Sequence, residues 1–470
     1  MFWTNWKCKQ TITAASSDHY TSCKIKDGNL ILGRHKGFLE LYKIGPNLRK
    51  RIEFRSHAPC FDYLRSAEIP ESVDTIDVVT SGTKELLVIT ANPKTLKLWN
   101  IHASYLRSED AVPVVECCTD TSSDEEEGAG SGKSCHSDDE NGHSDEKHLG
   151  EKHLGEKHLG DEGPDSKDAT LKTPNIPQQQ TPNTPNTPKA SAKDDARMER
   201  LFAQAHLKKR CLVRLEKECT LDNTYNIHSV STAPNNESVL VADELSITIL
   251  NPRIEDPWKV INLKPLKNEE LNKIITTAKF VENTSNMFVY GTSSGSVELH
   301  DLRECVKSET TLTITAATSG DFYGEIVRPI SDLLFMSDTT LACRNLQQVL
   351  LYDLRFPSTP VQEYDVYPLV QKKISDLYDT DEIFSRFELC GAGSKLYTGS
   401  FNTAVVEIDV KTNEISRAFL DNDLDVATRI VDGKKITCIA MDGDCLVTTI
   451  ANHCHIFRPI LPSAANDTSP

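Results

Sequence analysis

Three histidines recur every five residues, at His148, His153 and His158, each inside an EKHLG copy. Regularly spaced imidazoles are the residue type that chelates a soft divalent cation. Their surroundings argue otherwise, because the tract is acidic, Ser/Gly-rich and almost free of large apolar side chains, so a solvated repeat is the favoured reading. Asp301 and Asp353 each end a short β-type run, where an acid most often bonds turn backbone and does not act on a substrate. The 14 cysteines show no paired metal-type doublets. The vicinal Cys117–Cys118 suits neither zinc nor an ordinary disulfide, and reduced thiols are the simplest reading. No GxxxxGK[ST] loop or HExxH pair is present, and GTSSG at Gly291–Gly295, which fits GxSxG, lies in a turn between two β-type runs and so does not make a strand-to-helix nucleophile elbow. The expectation is a chain with no catalytic residues, no metal and no cofactor, whose work is binding.

Charge narrows the partners. The chain of 470 residues carries a formal net charge of -17, which disfavours general nucleic-acid binding. Thr119 to Ser166 alone holds 15 acids against 4 lysines. Apolar runs such as KELLVITA fall well short of a membrane span, and MFWTNWKCKQTIT has no charged head followed by an apolar run, so no secretory leader is expected. The acidic tract and the Pro/Gln-rich TPNIPQQQTPNTPNTPKAS after it bury too little surface to offset ordering entropy, so residues 111–200 read as a disordered insert. A brief helix is expected at DDARMERLFAQAHLKKR, where acids lead and bases trail. The Thr-Pro sites Thr173, Thr181, Thr184 and Thr187 make the insert a candidate regulatory segment. A tolerated surface-loop insertion is the stronger reading.

Outside the insert, short β-type runs end in an aromatic or aliphatic residue and a polar one. They are FLELYKI from Phe38, TLKLWNI from Thr95, SITILNP from Ser246, SVELHDL from Ser296, VLLYDLR from Val349, AVVEIDV from Ala404 and CHIFRPI from Cys454. Their starts lie 57, 151, 50, 53, 55 and 50 residues apart. Removing the insert brings the long gap close to the others. Upstream of most endings come a second strand and a Gly-, Ser- or Asn-rich turn, as in NMFVYGTSSG and KLYTGSFNT. Strand, turn, strand at about 50 residues is the pattern of four-stranded propeller blades. Stacking the blades covers apolar faces that each leaves open alone. A pair of β-sandwiches is the competing architecture, but it predicts no such period. The expected fold is all-β, a seven-bladed β-propeller of WD-repeat type with a protruding hairpin. Residues 1–110 would form blades 1–2 with the hairpin at about 51–72, residues 201–462 blades 3–7, and residues 463–470 a flexible tail.

The segment His57–Ile69, HAPCFDYLRSAEI, mixes aromatics, acids, an Arg and a Pro after the basic NLRKRIEFRS. FDYLRSAEI resembles a signature of the B-type, WD-repeat, 55-kDa regulatory subunits of protein phosphatase 2A. TYNIHSVS from Thr224 resembles that family's second signature. NLKPLKNEELNKIITTAKF, FVYGTSSGSVELHDLR, FYGEIVRPISDLLF and LLYDLRFPSTPVQEYDVYPLVQKKISDLYDTDEIFSRFE follow in family order. The resemblance covers nearly everything except residues 105–205 and the tail. The departures mark a divergent member: Asn226 and His228 stand where the family pattern has His and Asn, ADELSITILNP has Ser246 and Leu250 where Arg and Trp are usual, the C-terminal linker is reduced to RAFLDNDLDVATR, and the acidic insert fills the segment between blades two and three.

The resemblance implies a regulatory subunit of a heterotrimer. It would bind a HEAT-repeat scaffold A subunit that also holds the Ser/Thr phosphatase catalytic C subunit, and it would recruit phosphoserine/phosphothreonine substrates bearing basic segments. Scaffold contact falls by resemblance on His57, Phe61, Asp62, Tyr63, Leu64, Arg65 and Glu68, the aromatics as anchors and the charges as a polar rim. Substrate recruitment falls on Asp243, Glu244, Leu271, Phe322, Tyr378, Asp381 and Phe384, an acidic and partly apolar groove. No nucleic acid or membrane partner is implied, and the expected compartment is the cytoplasm, with the nucleus also open. The alternative is a WD-type adaptor that keeps the fold without binding the phosphatase.

Overall fold

A computed structural model describes residues 6–62, 66–81, 85–102, 213–221, 225–252, 257–265, 271–304, 311–315, 322–420 and 435–460. The expected insert, the helix before blade resumption and the tail lie outside them. Seven four-stranded antiparallel sheets form the described body, with one further two-stranded ribbon. Blade 1 spans 20–55, blade 2 combines 75–102 with 213–220, blade 3 spans 229–262, blade 4 275–315, blade 5 332–365 and blade 6 389–419. Blade 7 joins 439–459 to the N-terminal strand Trp6–Thr13, which pairs from Thr13↔His453 to Trp6↔Pro459. The two ends of the described chain thus close one blade, which removes an open edge.

The seven runs read as blade endings are the third strands of their blades, Phe38–Lys43, Thr95–His102, Ser246–Leu250, Ser296–Asp301, Gln348–Asp353, Ala404–Asp409 and His453–Pro459. A fourth, outer strand follows each in the sheet. Arg49–Arg55 is such a strand, so those residues belong to blade 1 and the hairpin is shorter than 51–72. Likewise Val213–Thr220 pairs with Thr95–His102, Ile101 opposite Val213. The long excursion therefore interrupts blade 2 between its third and outer strands, not the gap between blades two and three. Because residues 101 and 213 are register neighbours, chain of any length can loop out there without disturbing the pleat.

Period-two alternation builds the ring. In VLVA, Val239 and Val241 pack on blade 2 while Leu240 and Ala242 pack on blade 4, so both faces are buried and the strand reads as a continuous apolar run. One apolar cluster fills each of the seven blade junctions. Each innermost strand touches the innermost strand of the next blade, and the last touches the first. Side chains on these strands bond the neighbouring blade's backbone. Asp77 accepts the Thr232 N–H at 2.6 Å, Asp332 that of Leu389 at 2.7 Å and Glu388 that of Ile439 at 2.9 Å. The Ser229 hydroxyl donates to the Ala278 carbonyl at 2.7 Å. The divergent third blade is complete: Leu250 lies in the junction core and all four strands pair.

Antiparallel order puts the second-to-third turns and the blade-to-blade linkers on one face of the ring. Their backbones bond there: Ser56 and His57 donate to the Gly37 carbonyl, Ile275 to Glu244, Tyr367 to Gln347 and Ile436 to Ser400. The roots of the excursion, His102 and Val213, lie at the opposite face. Among the described residues no helix is long and apolar enough to cross a membrane.

Candidate docking face

The two-stranded ribbon rises from the linker between blades 1 and 2. Cys60–Asp62 pairs with Ala67–Ile69, Phe61 facing Glu68 across the register. Phe61 is 41% exposed, Glu68 is exposed and Asp62 half-buried. Tyr63, Leu64 and Arg65, at the tip, lie outside the described residues. His57 does not belong to this surface. It is 1% exposed, and its Nε2 lies 3.1 Å from the Thr90 hydroxyl. Thr90 also meets the Ser56 hydroxyl at 2.8 Å and accepts the Trp99 indole N–H at 3.1 Å. Burial, with Lys97 nearby, pushes the His57 imidazole down to about 3 against the opposing Thr90 bond, so it stays neutral. His57 is therefore the ribbon's internal root, not a contact residue: the segment only leaves the ring after position 57.

The linker between blades 5 and 6 supplies the opposite rim. Helix α1 (Phe322–Val327) precedes blade 5, and α2 (Val370–Asp379) follows it. Val370, Ile374 and Leu377 recur at helical spacing and are buried; Val370 and Leu377 pack on Leu346, Phe387 and Phe401. Thr380 ends α2, its hydroxyl donating to the Asp376 carbonyl at 2.8 Å. Asp381 then takes a left-handed φ of 57° and leads into a 3-10 turn at Glu382–Phe384. Lys435 grips Glu382 at 2.5 Å. This fixed corner leaves Tyr378 65% and Phe384 72% exposed, among exposed Asp376, Asp379 and Asp381. Leu271, on the linker into blade 4, is 40% exposed. Phe322 opens α1, but its side chain lies outside the described set. Seven of the eleven large apolar side chains exposed among the described residues sit on this face: Phe61, Tyr225, Leu271, Tyr323, Tyr378, Phe384 and Phe419.

Asp243 is not a groove acid. It is 2% exposed, and its carboxylate accepts the N–H groups of Leu245 at 2.7 Å and Ser246 at 2.5 Å and the Ser246 hydroxyl at 2.9 Å. Asn92 and Asn345 close the same turn in blades 2 and 5. An Asn or Asp three residues before the third strand is thus a turn former, a signal the sequence already held. Glu244 is half-buried, and burial raises its carboxyl while Arg386 pulls it back. Arg386, two residues past Phe384, lies inside the SRFE stretch of the resemblance, but the sequence assigns it no role. Burial lowers its guanidinium against the opposing pull of Glu244, and Arg386 adds to the burial that holds His228 down to about 3. On the other face Asp301 and Asp353 clip Arg303 and Arg355, bonding backbone and guanidinium alike.

A ring of seven blades with one aromatic, acid-edged face can be placed against known proteins. No protein-family model matches the chain. It is 27% identical over 367 residues to the beta isoform of the 55 kDa B regulatory subunit of serine/threonine protein phosphatase 2A from Arabidopsis thaliana, covering 76% of this chain and 64% of that one. Identity to the alpha isoform of the same plant is 28% over 367 residues, with the same coverage. The alpha isoform of Oryza sativa subsp. japonica is 28% identical over 364 residues, 76% of this chain and 56% of that one. The chain is a distant homologue of the 55 kDa B regulatory subunits of protein phosphatase 2A. It covers less than two thirds of each of these relatives. Raptor from Chaetomium thermophilum shares the fold at a TM-score of 0.52 and 9% identity, over 97% of this chain and 30% of that one.

The homology extends the resemblance drawn from FDYLRSAEI and its companion motifs over 76% of the chain. Its relatives are described as regulatory subunits, and among the described residues of this B-subunit homologue no group of three or more His, Cys, Asp or Glu side chains is placed to hold a metal. His148, His153 and His158 lie outside those residues.

Proposed function

We propose that this chain is a regulatory B subunit of a protein phosphatase 2A heterotrimer. The ribbon Cys60–Ile69 would seat on the HEAT-repeat scaffold subunit, and the Tyr378–Phe384 corner would hold substrate for the neighbouring catalytic subunit. The carrying observation is the placement of both features on one face of the ring. A substrate held on that face is presented to an active site carried by the same scaffold. Raising its effective concentration there accelerates dephosphorylation without chemistry from this chain. Asp376, Asp379 and Asp381 around two exposed aromatics favour phosphoproteins with basic, partly apolar segments, and a salt-sensitive on-rate follows. Such partners would be met in the cytoplasm or nucleus.

Capture on an immobilised scaffold subunit tests the reading. Phe61→Ala removes an aromatic anchor, and about 2 kcal/mol, a roughly 30-fold weaker Kd, is expected with an unchanged melting profile. Failure of the intact chain to bind scaffold at all would leave the adaptor alternative standing. A second variant separates the two surfaces. Tyr378→Ala combined with Phe384→Ala is expected to keep scaffold capture while lowering kcat/KM of the reconstituted holoenzyme on a basic phosphoprotein about tenfold. A small phosphopeptide that contacts only the catalytic subunit should be unaffected.

A further inference from the structure

The loop joining the third and outer strands of blade 5 reads Leu354-Arg355-Phe356-Pro357-Ser358-Thr359-Pro360-Val361. It lies on the face opposite the ribbon. Its two ends are tied down. The Asp353 carboxylate accepts the Arg355 backbone N–H at 3.0 Å and its Nε at 2.9 Å, while Phe356 N–H donates to the Asp353 carbonyl at 2.9 Å. At the far end Val361 N–H donates to the Leu351 carbonyl at 2.7 Å. Between these anchors Ser358 and Thr359 are exposed, and among the described residues their hydroxyls make no hydrogen bond. Phe356 stands out at 73% exposed, with Val361 at 59%.

We propose that Ser358 is a phosphorylation site, and that the resulting Arg355-x-x-phosphoserine-x-Pro360 segment docks an arginine-lined phosphoserine-binding protein on the face away from the ribbon. An arginine three residues before a hydroxyl offers a fixed cation to an acidic kinase subsite. The Arg355 side chain is 65% exposed, so its pairing with Asp353 at 2.5 Å is a surface ion pair. Such a surface pair holds the guanidinium only weakly. In the transfer the Ser358 oxygen bonds the terminal phosphorus of ATP, the bond from that phosphorus to the ADP oxygen breaks, and the hydroxyl proton is released.

The product adds about −1.5 to −2 charge and three acceptor oxygens, which planar guanidinium groups take in pairs. Pro360 confines Thr359 to extended backbone and Pro357 does the same for Phe356. The prolines limit the conformations open to the loop, which the structure bends at Phe356 and Thr359 and turns at Pro357–Ser358, so docking opens that turn. Blade 4 carries the same acid–arginine clip at Asp301–Arg303, but its sequence continues Glu304-Cys305-Val306, with no hydroxyl three residues on. The corresponding loop of blade 4 therefore lacks the site. The proposal is independent of the phosphatase reading, because it uses none of the ribbon or corner residues.

The test uses the full chain, an arginine-directed Ser/Thr kinase with ATP, and a recombinant 14-3-3 dimer as the arginine-lined probe. Phosphate is expected on Ser358 in the peptide beginning at Phe356, and the phosphorylated chain, not the untreated one, should be retained by the probe. Ser358→Ala should abolish both, and Arg355→Ala should slow incorporation roughly tenfold. Pro360→Ala should leave incorporation unchanged and weaken capture. Arg355 and Ser358 are exposed and Pro360 is half-buried, so melting profiles of the Arg355 and Ser358 variants should coincide with that of the parent chain. Phosphate on Thr359 alone, incorporation only outside this loop, or a Ser358-phosphorylated chain that the probe does not retain would each overturn the proposal.

Discussion

Replacing Gly37 by Ala should destabilise the ring by about 4 kcal/mol and, under the proposed function, abolish scaffold capture with it. Gly37 has a φ of +78° in the second-to-third turn of blade 1, and its carbonyl accepts the N–H groups of Ser56 at 2.8 Å and His57 at 3.1 Å. A methyl group there would overlap the His57 carbonyl oxygen and press on that of Glu71 at 2.9 Å. Both obstacles are backbone, so no rotamer change relieves them. The left-handed conformation itself costs about 1–2 kcal/mol for an L residue, and the overlap adds the rest. Gly443 separates the two contributions. It has a φ of +55° with nothing within 4 Å of an added methyl, so Gly443→Ala should cost only about 1–2 kcal/mol. Urea midpoints for the two variants decide the matter; equal losses would mean that the contact with His57 and Glu71 is not tight. The functional loss follows because the overlapped segment is the root from which the ribbon leaves.

That root also shows where sequence reading succeeds and where it stops. The two middle strands of a blade announce themselves because both of their faces are buried. LILG, VLLY and VVEI carry apolar residues at nearly every position, and few architectures besides a propeller repeat such runs every 50 residues or so. Outer strands such as Arg49–Arg55 and Val213–Thr220 alternate with solvent, so RKRIEFR and RLEKEC look like linker. The closing strand Trp6–Thr13 meets its partner more than 400 positions away, a pairing that no local pattern encodes. At the candidate docking face, exposed Phe61, Tyr378 and Phe384 are picked out through the resemblance, because an aromatic among charges is anomalous in a solvated loop. His57 and Asp243 depart from expectation for a shared reason. Both are polar residues whose hydrogen bonds are satisfied inside the protein, and a sequence does not distinguish that from exposure. Arg386 and Glu388 gain their character only because blades 3, 5, 6 and 7 converge around one axis.

Glu388 yields the last expectation, a pH dependence. Its carboxylate accepts the Ile439 N–H at 2.9 Å across the junction of blades 6 and 7. Burial first, then Asp332, push the carboxyl up to about 7, against the pull of the Ile439 N–H, Lys279 and Lys24. Those lysines are already committed, Lys279 to Asp332 at 2.6 Å and Lys24 to Asp77 at 2.8 Å. The other facing groups, the thiols of Cys23, Cys390 and Cys438, are pushed up in turn and stay neutral. An acid that holds its proton more tightly folded than unfolded favours the folded state fully below its unfolded value, near 4.5. The advantage drains away as pH rises through about 7. At pH 8 the ionised Glu388 should therefore cost about 2–3 kcal/mol, allowing for partial solvent access. Glu388→Gln keeps an acceptor for Ile439 and removes the charge, so it should be more stable than the wild type at pH 8 by that amount and indistinguishable only below about pH 4. His57 and His228, both held down to about 3, act in the opposite sense. They charge more readily when unfolded, so their contribution is lost as pH falls below about 6.5. The wild-type curve alone therefore mixes three groups across one window. The difference between wild type and Glu388→Gln, measured from about pH 4 to 8, cancels the histidines and isolates the carboxyl. A flat difference would mean that Glu388 is ionised throughout, and that the two flanking lysines serve the whole cluster and not only their nearest acids.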